Sequence, residues 1–283
     1  MSTKLYEQQR LMRHFGFANL PFSKYMRVVA MYDSKSQKAL RQGLEMWLDV
    51  GGLALVAGPC GVGKSLAIRR FVNDLDKNIY TVYVVPSPPS TVHGFLRFIC
   101  RRFGLSMKNH SVDLFDAAQK FLINHQQERG THPILILDDA EGLYPDVADV
   151  LRRLTTYDLD AEDRFSVLVC GIESLLQVLE LGLLEPLRSR FSFAYSLRPF
   201  GLDDTRSYIQ FHLKRAKSES KLFSDDAIKR IFYISKGRPR TINQLCIGML
   251  IKAAIMGKDN IDGPFFKAFI ADHPLYQNQG VAE

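Results

Sequence analysis

No apolar run in the 283-residue chain reaches the ~18 residues that a helix needs to cross a bilayer. The start, MSTKLYEQQRLMRHFG, has no apolar core of the kind that marks a secretory signal. The expectation is a cytoplasmic protein with no membrane partner. Cysteine is scarce: Cys60, Cys100, Cys170 and Cys246 form no CxxC pair and have no histidines at metal-ligand spacing. That argues against a disulfide framework and against a zinc site, and the four read as reduced thiols packed in a core. There is no internal repeat and no low-complexity tract. No helix-turn-helix or zinc module is present either, so sequence-specific readout of bases is not expected. Acidic residues are the minority charge, 30 against 37 Lys and Arg, for a formal net charge of +7. An excess of that sign fits a polyanionic partner. The rest of the composition is globular, and the length exceeds what one small domain needs.

Residues 34–49 place Leu40, Leu44, Trp47 and Leu48 at helical spacing behind Ser34, an N-cap residue type. After Gly51 and Gly52 come short β-rich runs: LALVA (53–57), IYTVYVV (79–85), ILILD (134–138), FSVLVC (165–170) and FSFAYSL (191–197). Helical patterns separate most of them. LALV and ILIL are continuously apolar, as strands buried on both faces must be. The fold class expected is α/β, a parallel five-stranded sheet flanked by helices. Beyond about residue 200 the strands stop. LDDTRSYIQFHLKRAKS, SDDAIKRIFYISKG and PRTINQLCIGMLIKAAIMG are helical patterns, and GPFFKAFIADH adds a short fourth. Asp203 or Asp204, Ser224 and the Pro239–Thr241 start read as helix openings, Gly237 and Gly257 as stops. The expected division is an N-terminal segment 1–33, an α/β domain 34–200, an all-helical lid 201–275 and a frayed tail 276–283.

GPCGVGKS, Gly58–Ser65, matches G-x-x-x-x-G-K-[ST] in full, and lies between LALVA and the helical SLAIRRFVNDL. In Gly58, Pro59, Cys60, Gly61, Val62 and Gly63, small residues let backbone N–H groups turn inward around phosphate oxygens. Lys64 adds a point charge at the β- and γ-phosphates, Ser65 offers a hydroxyl to Mg²⁺, and the helix N-terminus adds partial positive charge. The ligand expected is ATP with Mg²⁺. In PILILDDAEGL, four apolar residues end in carboxylates. Asp138 then stands at the C-terminal edge of a strand, where open α/β sheets hold ligands, and is suited to the Mg²⁺ shell. Asp139 stands where related P-loop enzymes carry the Glu that polarises the attacking water. It is one methylene short, roughly 1.5 Å of reach, so slow hydrolysis is expected. Glu141, past the strand end, is an alternative base. The other reading of Asp138 and Asp139 is an acidic helix cap.

HFGFANLPFSK (14–24), GPCGVGKS, ILILDDAEGL, LVCGIESLL (168–176), LRSRFSFAYSLRPF (187–200) and SKGRPRTINQLC (235–246) resemble, in order, the blocks of the ExeA-like AAA+ ATPases. That group includes the TnsC- and TniB-type ATPases of DNA transposition. The resemblance covers about residues 12–257. It implies that Arg190 is an arginine finger reaching a neighbour's γ-phosphate, with Arg188 the close rival. It also implies that Arg240 is a sensor-2 arginine contacting phosphate in cis, and that the segment around Pro21 and Phe22 lies over the adenine. Plain core packing is the alternative for those two residues. The family's polar residue at the end of the fourth strand has no evident counterpart, since that place reads VCG. Asp139 in place of the usual Glu, and Glu141 in place of the usual His or Gln, depart from the pattern.

Arg97, Arg101, Arg102, Lys108 and Lys120 fall between the second strand and ILILD. Arg97 and Arg101 are four apart and share a helix face. The DNA-loading members of the family line the pore of their assembly with this region, and such a row would neutralise phosphates without reading sequence. A solvated helix face is the other reading. A finger acting in trans implies self-assembly as a ring or helical filament. The expected function is an ATP-dependent, non-specific double-stranded-DNA-binding regulator of DNA transposition, with a transposase and a target-selection protein as partners. The alternatives are an ATPase for secretion or pilus assembly and a nucleotide switch with a protein partner only.

Overall fold

A computed structural model describes residues 3–23, 31–156, 164–218 and 222–277. Lys24 and the tail beyond residue 277 lie outside the described residues. The chain divides into two compact units. One comprises Met1–Ser34, Gly61–Gly63 and Pro199–Glu283, the other Lys35–Cys60 and Lys64–Arg198.

The first helix, α1 (Thr3–Phe15), belongs to the first unit. The second unit begins with α2 (Lys35–Val50), whose Leu40, Leu44 and Trp47 are buried as their spacing predicts. It continues through β1 (Leu53–Ala57), α3 (Lys64–Asp74), β2 (Tyr80–Pro86), α4 (Val92–Phe103), α5 (Ser111–Arg129) and β3 (His132–Asp138). Then follow α6 (Pro145–Thr155), β4 (Ser166–Cys170), α7 (Glu173–Leu179), α8 (Glu185–Arg188) and β5 (Phe191–Ser196). The strands form one sheet in the order β2-β3-β4-β1-β5, and every pairing is parallel. β1 and β4 at its centre are buried at every residue, which is why LALVA and SVLVC carry no polar alternation. β2 on one edge is mostly half-buried. Phe95, Leu96, Ile99, Leu135, Leu137 and Leu151 lie in the core between helices and sheet.

Parallel strands all end on one side of a sheet. Pro86, Asp138, Cys170 and Ala57 therefore share its C-terminal edge, and the glycine loop leaves β1 there. Register fixes the neighbours: Pro86 pairs with Asp138, Leu137 with Val169, and Val56 with Cys170.

The first unit also holds α9 (Leu202–Arg215), α10 (Asp225–Ser235), α11 (Pro239–Met256) and α12 (Gly263–Ala271). Leu11, Phe22, Ile209, Ile231, Leu245 and Phe266 lie in its core. Ser224 caps α10 through its hydroxyl, which accepts the Ala227 N–H at 3.1 Å, and Pro239 stands at the start of α11. The N-cap of α9 is Gly201; Asp203 and Asp204 lie inside its first turn, where carboxylates favour the helix dipole. Gly237 has φ +68°, and a Cβ there would overlap the Phe200 carbonyl. Among the described residues, no helix is long and apolar enough to cross a membrane. Cys100, Cys170 and Cys246 are buried, as expected of core thiols, but Cys60 is exposed. It lies in the glycine loop, where Val62 is buried and Cys60 is not.

Candidate nucleotide site and basic face

The Gly58–Ser65 loop runs from the end of β1 into the first residues of α3. Gly58, Gly61 and Gly63 have φ of +151°, +77° and +108°, so the loop uses the backbone freedom that only glycine has. A Cβ on Gly58 would overlap the carbonyl of Leu197. Lys64 is buried, at 6% exposure, and its Nζ donates to the carbonyls of Gly58 (2.8 Å) and Pro59 (3.2 Å). The loop thus holds a buried ammonium at its own centre, a cation aimed where an anion would sit.

The second half of the site comes from β3. Ser65 Oγ donates to Asp138 Oδ1 at 3.2 Å, so residues 73 apart in sequence meet at the sheet edge. A hydroxyl and a carboxylate together are hard oxygen donors of the kind Mg²⁺ takes, and the residues present fit MgATP. The same Oδ1 accepts the N–H of Asp139 at 3.1 Å. Asp139 is exposed and adopts the left-handed conformation, φ 51° and ψ 49°. Glu141 follows in a short 3-10 turn, Ala140–Gly142. Its Oε1 accepts the N–H of Ile172 at 3.1 Å, so one oxygen of this carboxylate is engaged.

Register puts Cys170 beside Asp138, at the strand end where the sequence offered no obvious polar group. Burial pushes its thiol well above the usual range, and the neighbouring Asp138 charge and hydrogen bond add to the rise. The resemblance puts VCG at this strand end, and strand register makes Asp138 the neighbour of Cys170.

Arg190 lies elsewhere. It immediately precedes β5, at the N-terminal edge of the sheet, and its carbonyl accepts the N–H of Leu53 at 3.1 Å. Arg188 ends α8 and is exposed, while Arg190 is half-buried. In the other unit, Arg240 is the second residue of α11; its N–H donates to the carbonyl of Gly61 at 3.2 Å. Phe22 is a core residue there. Its ring stacks on His212 with centroids 4.9 Å apart and meets Phe223 at 86°, and its N–H donates to His212 Nδ1 at 3.2 Å. Pro21 lines a small cleft with Asn19, Leu20, Ser23, His212 and Arg215.

The basic row is divided. Arg97, Arg101 and Arg102 lie on α4, Lys108 in the turn after it and Lys120 on α5, and all five are exposed. The guanidinium carbons of Arg101 and Arg102 are each 5.1 Å from the Phe98 ring centroid. Both arginines sit in the last turn of α4, where cations favour the helix dipole.

A glycine loop between β1 and α3, an Asp at the end of β3 and the order β2-β3-β4-β1-β5 make this a P-loop fold of the AAA+ type. Residues 48–179 match the family model described as AAA domain. Over that stretch the chain is similar to an AAA domain. It is 30% identical over 254 residues to general secretion pathway protein A of Aeromonas hydrophila, covering 87% of this chain and 45% of that protein. It is 25% identical over 210 residues to the replication factor C small subunit of Sulfolobus acidocaldarius, covering 74% and 54%. The chain thus spans about half the length of the curated relatives it matches. Among solved structures, Aeropyrum pernix ORC2 in its ADPNP–ADP complexes superposes with a TM-score of 0.61 at 14% identity, over 92% of this chain and 71% of that one. That likeness is one of fold.

Proposed function

We propose that the AAA domain binds ATP with Mg²⁺ at Gly58–Ser65, hydrolyses it slowly, and works as an assembly of copies in which Arg190 of one completes the site of the next. The pre-formed Lys64, Ser65 and Asp138 arrangement supports the first part. When bound, Mg²⁺ would neutralise charge building on the phosphates. Asp138 and Ser65 would hold it, Lys64 would hold the phosphates, and Asp139 would orient the attacking water. Arg240 is a candidate for a further phosphate contact. Pro21 and Phe22 are candidates for the base side, Phe22 through packing that fixes Pro21.

The location of Arg190 supports the second part. A parallel strand rises about 3.3 Å per residue, so the six residues of β5 put roughly 20 Å between Arg190 and the edge that carries Lys64. An extended arginine side chain reaches roughly 7 Å. Arg190 therefore serves another copy's nucleotide or none.

The biological role that fits best is non-specific binding of duplex DNA in the regulation of transposition, with a transposase and a target-selection protein as partners. The observation that carries it is the trio of exposed arginines on α4, joined by the net charge of +7 and the family resemblance. The 30% identity to a secretion-pathway protein favours a second reading, an ATPase of secretion or pilus assembly. Fluorescence anisotropy with random duplex DNA across a salt series separates the two. With a non-hydrolysable ATP analogue, binding should appear at low salt and fall steeply as salt rises. Replacing Arg97, Arg101 and Arg102 with Ala should flatten the slope by up to about three units. Absence of ATP-dependent DNA binding at low salt would remove the transposition reading and leave the secretion one.

A further inference from the structure

The stretch between β4 and β5 is an arm running from the nucleotide edge of the sheet to the opposite edge. It is continuously braced. Leu181 N–H donates to Val178 O, Leu184 to Leu181, Ser189 to Glu185 and Arg190 to Leu187, at 2.8–3.2 Å. Leu175, Leu179, Leu184 and Leu187 are buried at 3% exposure or less and fix its inner side. α7 packs against both α8 and the 140–142 turn. The arm is therefore braced along its length, and its last residue is Arg190.

Its root, at the second residue Ile172, is held by Glu141. Ile172 is the N-cap of α7, and its side chain makes no cap bond. In a capping box the N–H of the N-cap residue is satisfied by a carboxylate three residues on, within the same helix. Here that N–H is satisfied by Glu141, 31 residues earlier, from the turn that directly follows Asp138 and Asp139. One carboxylate joins the acidic end of β3 to the root of the arm.

We propose that Glu141 is a positioning residue that couples a protomer's own nucleotide site to the arginine it presents to the next protomer. A displacement of the Asp138–Asp139 corner is transmitted through the Glu141–Ile172 bond to α7, and through α7 and α8 to Arg190. The proposal rests on the trans role of Arg190. It places Glu141 on the donor side of the interface, where a general base would have no effect.

Two measurements test it. Hydrogen exchange on the nucleotide-free full chain reads the tie directly. Glu141→Ala should speed exchange of amides in Glu173–Arg190 about tenfold, while Glu141→Gln, whose amide oxygen still accepts, should match wild type. Exchange unchanged in Glu141→Ala, or equally fast in both variants, overturns the proposal. The second measurement is ATPase activity in a 1:1 mixture of Lys64→Ala, which can only donate a finger, with Arg190→Ala, which can only receive one. Random head-to-tail assembly pairs them productively at about one interface in four, so about a quarter of wild-type activity should return. Adding Glu141→Ala to the Lys64→Ala partner should cut that recovery at least fivefold, and Glu141→Gln there should not. Full recovery with Glu141→Ala in the donor overturns the coupling and leaves the trans finger standing. No recovery in the parent mixture, with both proteins still co-assembling, overturns the trans finger and the coupling with it.

Discussion

Asp139 carries two demands that substitutions separate. Its side chain is the proposed water-orienting carboxylate, and its backbone is left-handed, with φ 51°. A left-handed L-residue costs roughly 1–2 kcal/mol, and Asp is among the non-glycine residues that adopt this conformation most often. Asp139→Ala and Asp139→Gly both delete the carboxylate, but only glycine relieves the backbone. Glycine loses roughly 0.5–1 kcal/mol of that relief to its larger unfolded-state entropy. The glycine variant should therefore be more stable than the alanine one by roughly 0.5–1 kcal/mol. At roughly 2–4 °C per kcal/mol for a chain of this size, the melting temperatures should differ by about 1–4 °C. Both should lose ATP turnover equally, by about 100-fold or more if the carboxylate works as a general base. Thermal melting without nucleotide and steady-state phosphate release read the two effects. An alanine variant as stable as the glycine one would refute the backbone argument. Turnover at the wild-type rate in either would refute the role of the carboxylate. Asp139→Glu restores reach without the local backbone preference of Asp, so it should keep or raise turnover while lowering the melting temperature.

His212 should make the helical unit sensitive to acid. Burial foremost, with help from Arg215, lowers its pKa from 6.5 to about 4, and its Nδ1 must stay unprotonated to accept the Phe22 N–H. The unfolded chain then binds the proton that the folded one refuses. The contribution is full above about pH 6.5 and is lost as pH falls toward 4, up to roughly 3 kcal/mol in all. His212→Leu should flatten the melting temperature between pH 7 and pH 4.5, and an unchanged profile would show that His212 does not set it. Gly58→Ala should destabilise the chain by roughly 1–3 kcal/mol, because its Cβ overlaps the Leu197 carbonyl and its φ of +151° suits glycine alone. Denaturant unfolding checks this, and a wild-type midpoint would show that the loop relaxes freely.

The inner strands β1, β3 and β4 were legible because burial on both faces leaves a nearly unbroken apolar run, and LALVA coincides with β1 at both ends. The glycine loop was legible because its chemistry is contiguous in the chain. Asp138 could be placed because a carboxylate closing an apolar strand falls at the sheet edge. α1 was not foreseen, since its amphipathic pattern in TKLYEQQRLMRHF is weak beside its charge. The resemblance places VCG at the end of the fourth strand, but the proximity of Cys170 to Asp138 was out of reach because the β3–β4 register fixes it. The Glu141–Ile172 bond was out of reach for the same reason, being a contact across 31 residues that no local pattern encodes. The edge of the sheet that bears Arg190 follows from strand direction once the topology is known.

Calorimetric titration of MgATP into the wild-type chain and into Lys64→Ala tests the nucleotide site most directly. On the proposed reading, the buried ammonium of Lys64, held at 2.8 Å from the Gly58 carbonyl, would be the principal cation that the loop offers to phosphate. The wild type should bind one equivalent of MgATP, and the variant should lose affinity by about 100-fold or more, roughly 3 kcal/mol. Wild-type affinity in Lys64→Ala would contradict the assignment of Gly58–Ser65 as the phosphate site.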